Sequence, residues 1–196
     1  AQLENLDIVR SILIKDDWLY IGMSDGLRVQ YLPSGIKKII PFLKQDSSTR
    51  DQRNTKELHL DKDNRLWIGT VGGLYSVPTA QVEGFFKGEL DELQTREDLT
   101  FRNIWQILDT EDGYYLATDD GLFLLDPEDR SVKHILRLGD ARFQVSDEDI
   151  KSLVVDSKNN FWMATTSDGA FYWSPKSIGF KNFYARQGGK VALSND

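Results

Sequence analysis

The chain has 196 residues, 40% of them apolar and 11% aromatic, which is ample for a packed interior in one or two domains. A formal net charge of −7 and a pI near 4.9 argue against a nucleic-acid partner, because phosphate tracking rests on clustered Lys and Arg. The absence of cysteine excludes disulfides, thiolate chemistry and Cys-based zinc, and no stretch approaches 18 consecutive apolar residues.

In chain order, Ala1 to Asp7 lead into a first unit over about 8–53. It opens with the apolar pair Val9 and Ile12, turns at Lys15-Asp16-Asp17, and continues as Leu19-Tyr20-Ile21-Gly22-Met23-Ser24-Asp25-Gly26-Leu27. A third apolar run, Leu27 to Tyr31, ends near Pro33. Ile36-Lys37-Lys38-Ile39 then reads as a short outer edge blunted by solvated lysines. A polar connection, Pro41 to Asn54, follows.

The second unit, 54–102, has Thr55 and Leu58 in place of the opening pair. A turn at Asp61-Lys62-Asp63-Asn64 leads to Leu66-Trp67-Ile68-Gly69-Thr70-Val71-Gly72-Gly73-Leu74. After Pro78 the pattern departs, and Thr79 to Phe86 reads either as a short helix capped by Thr79 or as a strand centred on Phe85-Phe86. The third unit, 103–148, repeats the order with Ile104 and Ile107, Tyr115 to Leu122, and Val132 to Ile135. The fourth, 149–196, does so with Ile150 and Leu153, Trp162 to Ala170, and Phe180 to Phe183.

Gly26, Gly73, Gly121 and Gly169 are 47, 48 and 48 residues apart, and a fixed period of that size marks one supersecondary unit used repeatedly. Aromatic and β-branched residues in the Trp or Tyr segments favour a pleated surface. The Asp-Gly and Gly-Gly pairs that follow are those of type I′ hairpin turns, so a strand runs back antiparallel after each. Four antiparallel strands per repeat is a β-propeller blade, and the expected fold is all-β with four consecutive blades, a segment of a larger propeller of seven-bladed type. The last residues, Leu193 to Asp196, match the start of a repeat, and the chain begins without Met; both favour a piece of a longer array, against a closed four-bladed ring. Three-helix repeats, which share the period, lack an extended 3.6-residue rhythm here.

Written as I-x-x-I-x-x-D-x-x-x-x-L-W-I-G-T-x-x-G-L, the repeat resembles that of two-component regulator propellers. Leu58 to Leu74 matches best, with Asp61, Leu66-Trp67-Ile68-Gly69-Thr70 and Gly73-Leu74. The other units substitute Tyr20 or Tyr115 for Trp67, Ala117 or Ala164 for Gly69, and Met23 for Thr70, while Trp162 and Thr165 are kept. The resemblance implies the extracytoplasmic, periplasmic sensor region of a bacterial inner-membrane signalling protein, whose histidine kinase, hybrid kinase or diguanylate cyclase output lies outside this sequence. It also implies a small-molecule or glycan ligand, and a membrane met only through flanking segments. Two rings of seven blades are frequent in such proteins.

Trp67, Trp162, Tyr20 and Tyr115, with Gly26, Gly69, Gly73, Gly121 and Gly169, read as the structural motif. Candidate ligand-binding residues are the rim acids Asp25, Asp120 and Asp168, although Asp-Gly is itself a turn signature, together with Arg10, Arg102 and Trp105. Trp105 falls where the other repeats carry Arg10, Lys56 and Lys151, so it is expected to be exposed and able to stack on a flat ligand. The adjacent acids Asp119-Asp120 do not face each other across a bond as glycosidase chemistry requires. Neither Asp61-x-Asp63-Asn64 nor Asp109-x-Glu111-Asp112-Gly113 completes a calcium loop, and His59 and His134 lack zinc spacing. No cofactor, metal or catalytic residue is expected. The reading is a non-enzymatic sensing module; a propeller lyase or hydrolase and a protein-interaction platform are the alternatives, with self-association through the terminal blades or a parent dimer as the expected homotypic contact.

Overall fold

The computed structural model describes residues 8–43, 50–100, 102–136, 149–166, 169–174 and 180–183. Four sheets of four strands each follow one another. Blade one holds β1 (Val9–Lys15), β2 (Trp18–Met23), β3 (Gly26–Tyr31) and β4 (Lys37–Ile40). Blade two holds β5 (Thr55–Leu60), β6 (Arg65–Thr70), β7 (Gly73–Pro78) and β8 (Arg96–Thr100), preceded by the short helix α1 (Arg50–Arg53). Blade three is β9 (Ile104–Thr110), β10 (Gly113–Thr118), β11 (Gly121–Leu125) and β12 (Val132–Leu136). Blade four is β13 (Ile150–Val155), β14 (Phe161–Thr165), β15 (Ala170–Trp173) and β16 (Phe180–Phe183). The all-β blade architecture expected from the repeat is therefore present.

The ambiguous stretch after Pro78 is a helix, α2 (Thr79–Lys87), and Thr79 is its first residue instead of its cap. Pro78 occupies the cap position, with no side-chain bond to the first turn. At the other end Gly88, with φ of +81°, takes the left-handed conformation; its N–H reaches the Phe85 carbonyl, and the N–H of Glu89 reaches that of Gly84. The helix thus interrupts blade two between its third and fourth strands.

The chain divides into two compact units, Ala1–Ile104 and Trp105–Asp196. In the first, Tyr20, Leu27 and Val29 of blade one pack with Leu58, Leu66, Ile68 and Val77 of blade two. In the second, Tyr115, Leu122 and Leu136 of blade three pack with Leu153, Phe161, Met163 and Phe171 of blade four, and the Tyr115 and Phe161 rings lie 4.5 Å apart. The aromatic residue of the second strand therefore seals a blade to its successor in each unit. Trp67, at the same place in blade two, is fully buried. Trp162 in blade four is 38% exposed, its ring edge-on to Tyr172. On blade one, Ile12, Ile14 and Ile39 are exposed, although Leu58 and Leu153, which correspond to Ile12, are buried.

Polar ties fix the seams. The Leu58 N–H donates to Ser11 Oγ at 3.1 Å. In the second unit the corresponding tie joins partners that are again 47 residues apart: Gln106 takes the N–H of Leu153 at 2.7 Å and gives its amide N–H to the same residue's carbonyl. Gly22 is required by close approach, because a Cβ there would come 2.8 Å from Cγ2 of Thr55 in the next blade. Gly69 lies between Leu74 on one side and Glu57 on the other in the strand pairing, whereas Ala117 fills the corresponding place in blade three, fully buried.

The repeat motif resolves into two hydrogen-bond devices. Asp61 Oδ1 accepts the N–H groups of Asp63 and Arg65 across the turn, and Oδ2 accepts the indole N–H of Trp67 at 2.9 Å. Asp156 does the same for Lys158, Asn160 and Trp162; its bonds to Asn160 lead the effects that hold its carboxyl near pKa 2. The Asp and Trp of the motif are one unit of structure. Asp61→Ala is expected to cost about 2–3 kcal/mol, since two turn N–H groups and the indole N–H of the buried Trp67 lose their acceptor, with Asp61→Asn intermediate. Urea denaturation of the two variants beside the parent chain checks the ranking.

The second device is the threonine. Thr70 Oγ1 accepts from the N–H groups of Gly72 and Gly73 and donates to the Gly73 carbonyl, and Thr118 and Thr165 reach the carbonyls of Gly121 and Gly169. The expectation of type I′ turns is corrected here. Among the described residues the loop positions Ser24, Asp25, Val71, Gly72, Asp119 and Asp120 do not have positive φ. The motif glycine comes after the turn, as the first residue of the third strand in blades one to three, where Gly26 pairs with Met23 and Gly121 with Thr118.

Candidate functional site

The rim residues selected from sequence are mostly committed to structure. Arg10, Lys56 and Lys151 are the bulged residues of their inner strands, where the register slips between Val9 and Ser11, Thr55 and Glu57, and Ile150 and Ser152. Arg10 is exposed and its Nε donates to Asn54 Oδ1 at 3.1 Å. Asp25 is ion-paired with Arg28 at 2.9 Å. The Asp120 N–H donates to Thr118 Oγ1, and its carbonyl meets Nε2 of His134, whose ring stacks on Phe123. Arg102 lies half-buried between β8 and β9. Asp168 lies outside the described residues.

Trp105 departs from expectation. It is half-buried against the core of the second unit, and the Lys151 ammonium sits 3.2 Å from its ring centroid. The cation at the equivalent position of the next blade therefore occupies the aromatic face that was expected to be open.

A different site comes from α2. Val82 and Phe86 turn inward onto the first unit's core, Glu83 Oε1 accepts from the buried Tyr20 hydroxyl at 3.4 Å, and Lys15 pairs with the same carboxylate at 3.4 Å. Burial first, and then the Glu83 charge, push the Tyr20 hydroxyl far above its ordinary range, so it stays a donor. From the outer strand, Lys38 Nζ donates to the Phe86 carbonyl and stands 5.0 Å from the Phe86 ring centroid. Lys37 and Lys38 are both exposed, as expected of a solvated edge, and Lys38 in addition caps the negative end of the helix.

Beneath the C-terminal end of α2 lies an open groove of about 580 Å³, lined by Asp16, Asp17, Trp18, Tyr31, Ser34, Ile36, Lys38, Phe86 and Lys87. Trp18 forms its floor, 4.8 Å from the Tyr31 ring and edge-on to Phe86 at 5.0 Å; Lys87 Nζ stands 5.9 Å from the Trp18 ring centroid. Asp16 is paired with Lys15 at 3.3 Å. A concave site with an aromatic floor and a few polar groups of both signs is the usual form of a small-molecule pocket. The sequence did not reveal it, because α2 is an insertion outside the repeat; the aromatic pair Phe85-Phe86 was the signal available.

No protein-family model and no curated protein sequence matches the chain. Among solved structures it is similar to the extracellular domain of a putative hybrid two-component system from B. thetaiotaomicron, with TM-score 0.73 at 16% identity over 95% of this chain and 23% of that one. A second such extracellular domain from the same organism matches with TM-score 0.53 at 15% identity, over 100% of this chain and 31% of the other. Regucalcin, a calcium-binding protein from Agrobacterium tumefaciens, matches with TM-score 0.54 at 16% identity, over 85% and 55%. The likeness is one of fold, and the chain spans about a quarter of the length of the first of these neighbours. No helix among the described residues is long and apolar enough to cross a membrane.

Proposed function

We propose that this chain is a ligand-sensing β-propeller module from the extracytoplasmic part of a bacterial signal-transduction protein, and that it binds without turning its ligand over. The observation that carries the reading is the fold shared over nearly the whole chain with extracellular domains of putative hybrid two-component systems. The groove under α2 supports it with a binding site whose aromatic floor belongs to a packed core. Output would reside in a kinase or cyclase joined to this module across an inner membrane. Ligand binding acts by preferring one of two arrangements of blades or protomers, since a ligand moves an equilibrium only by its differential affinity.

A thermal-shift screen of the whole chain against amino acids, short peptides, neutral and acidic saccharides and nucleotides tests the proposal. One class is expected to raise the melting temperature with a saturating concentration dependence, about 2.7 kcal/mol at a hundredfold excess over Kd, and to be recovered chemically unchanged. Catalytic consumption of the compound, or no stabilisation by any class, overturns the reading.

A further inference from the structure

We infer that the groove under α2 takes a zwitterion with an apolar side chain, either a free hydrophobic amino acid or a short peptide with free ends. The inference rests on the sensing reading above and assigns its ligand chemistry. The four charged residues of the lining are two acids and two lysines, so the groove as a whole selects no net charge. Two of them are already engaged, Asp16 by Lys15 and Lys38 by the Phe86 carbonyl. That leaves one group of each sign: among the described residues the Asp17 carboxylate has no ion pair or hydrogen bond, and the Lys87 ammonium has only the Trp18 ring beside it.

The placement of these groups matches such a ligand. Asp17 immediately precedes Trp18 in the turn into β2, and Lys87 ends α2 above the same ring. An ammonium on Asp17 and a carboxylate on Lys87 leave the ligand's side chain over the apolar surface of Trp18, Phe86 and the half-exposed Ile36. Tyr31, whose hydroxyl has no partner among the described residues, lines the same groove. Groups of opposite sign on a shared apolar floor favour one ligand carrying both charges over two separate ions, because a single immobilisation satisfies both.

Calorimetric titration of the whole chain with L-leucine, Leu-Leu, N-acetyl-L-leucine, L-leucinamide and maltose tests the assignment, repeated with Asp17→Asn and Lys87→Gln. Both substitutions fall in exposed residues, and melting curves verify folding. Leucine or Leu-Leu is expected to bind, and blocking either end is expected to weaken binding at least about fivefold. Asp17→Asn should weaken the parent ligand without further effect on the N-acetyl compound; Lys87→Gln should do so without further effect on the amide. Binding by leucine itself identifies the amino acid as the source, and binding by Leu-Leu alone identifies the peptide. Equal binding of blocked and free compounds, or zwitterion binding that both variants leave intact, overturns the groove assignment while the sensing reading stands. Failure of every zwitterion while another class stabilises the chain has the same meaning. Failure of every class removes the sensing reading as well.

Discussion

Gly73→Ala is expected to destabilise the first unit by about 3–5 kcal/mol, whereas Gly26→Ala, at the same place in the preceding repeat, should cost only about 1–3 kcal/mol. Both glycines have φ that L-residues rarely adopt, +151° and +142°, so both substitutions meet backbone strain. They differ in what lies over them. A Cβ on Gly73 would stand 2.2 Å from the Leu99 carbonyl oxygen of the fourth strand, while at Gly26 nothing lies within 4 Å.

The difference has a visible cause. In blade two the pairing of β7 with β8 slips between Leu74 and Tyr75, which carries the outer strand's carbonyl onto the glycine; in blade one β3 and β4 pair regularly. Blade three repeats the slip between Leu122 and Phe123, and there a Cβ on Gly121 would be 2.0 Å from the Leu136 oxygen. Urea denaturation of Gly26→Ala and Gly73→Ala compares them within one compact unit. Equal losses would mean that β8 yields to the new methyl group, and that φ alone makes the motif glycine necessary.

The repeat period and the strand composition were enough to place four blades, because each repeat buries the same kind of surface by the same pairing. What each motif residue does was only partly legible. Asp61 reads from sequence as a turn former, but its bond to the Trp67 indole joins residues whose side chains meet only after the hairpin forms. Nothing in the sequence marks the threonine of the motif, although its hydroxyl, and not the glycine, holds the turn. Alignment of Trp105 with Arg10, Lys56 and Lys151 predicts exposure because it takes each position alone; in the second unit the lysine of one blade lies on the tryptophan of the other. The groove was the hardest to read. It is assembled from the β1–β2 turn, the outer strand of blade one and an insertion whose Phe86 lies 48 residues downstream of Lys38, and no sequence window holds more than part of it.

Glu57→Gln is expected to make the chain more stable at neutral and alkaline pH and to remove part of its pH dependence. Glu57 sits half-buried on β5 at the seam with blade one, next to Leu58, whose N–H is held by Ser11. Burial pushes its carboxyl up from 4.5 to about 7, against the opposing effect of the Ser11 hydroxyl, which favours the charged form. Since the folded value lies above the unfolded one, the folded chain binds more protons between about pH 4.5 and 7, and stability must fall as pH rises through that window. Below it both states carry a neutral carboxyl, and glutamine and glutamate should behave alike. Above it the full linkage value would be about 3 kcal/mol, and water at this half-buried position reduces it to about 1–2 kcal/mol. Glutamine retains an oxygen for the Ser11 hydroxyl and carries no charge, as at the second unit's seam, where Ser152 donates to the neutral Gln106. Chemical denaturation of both chains at pH 4, 6 and 8 should give a difference that grows with pH and then levels off. A difference independent of pH would show that Glu57 keeps its ordinary acidity and that water reaches this seam.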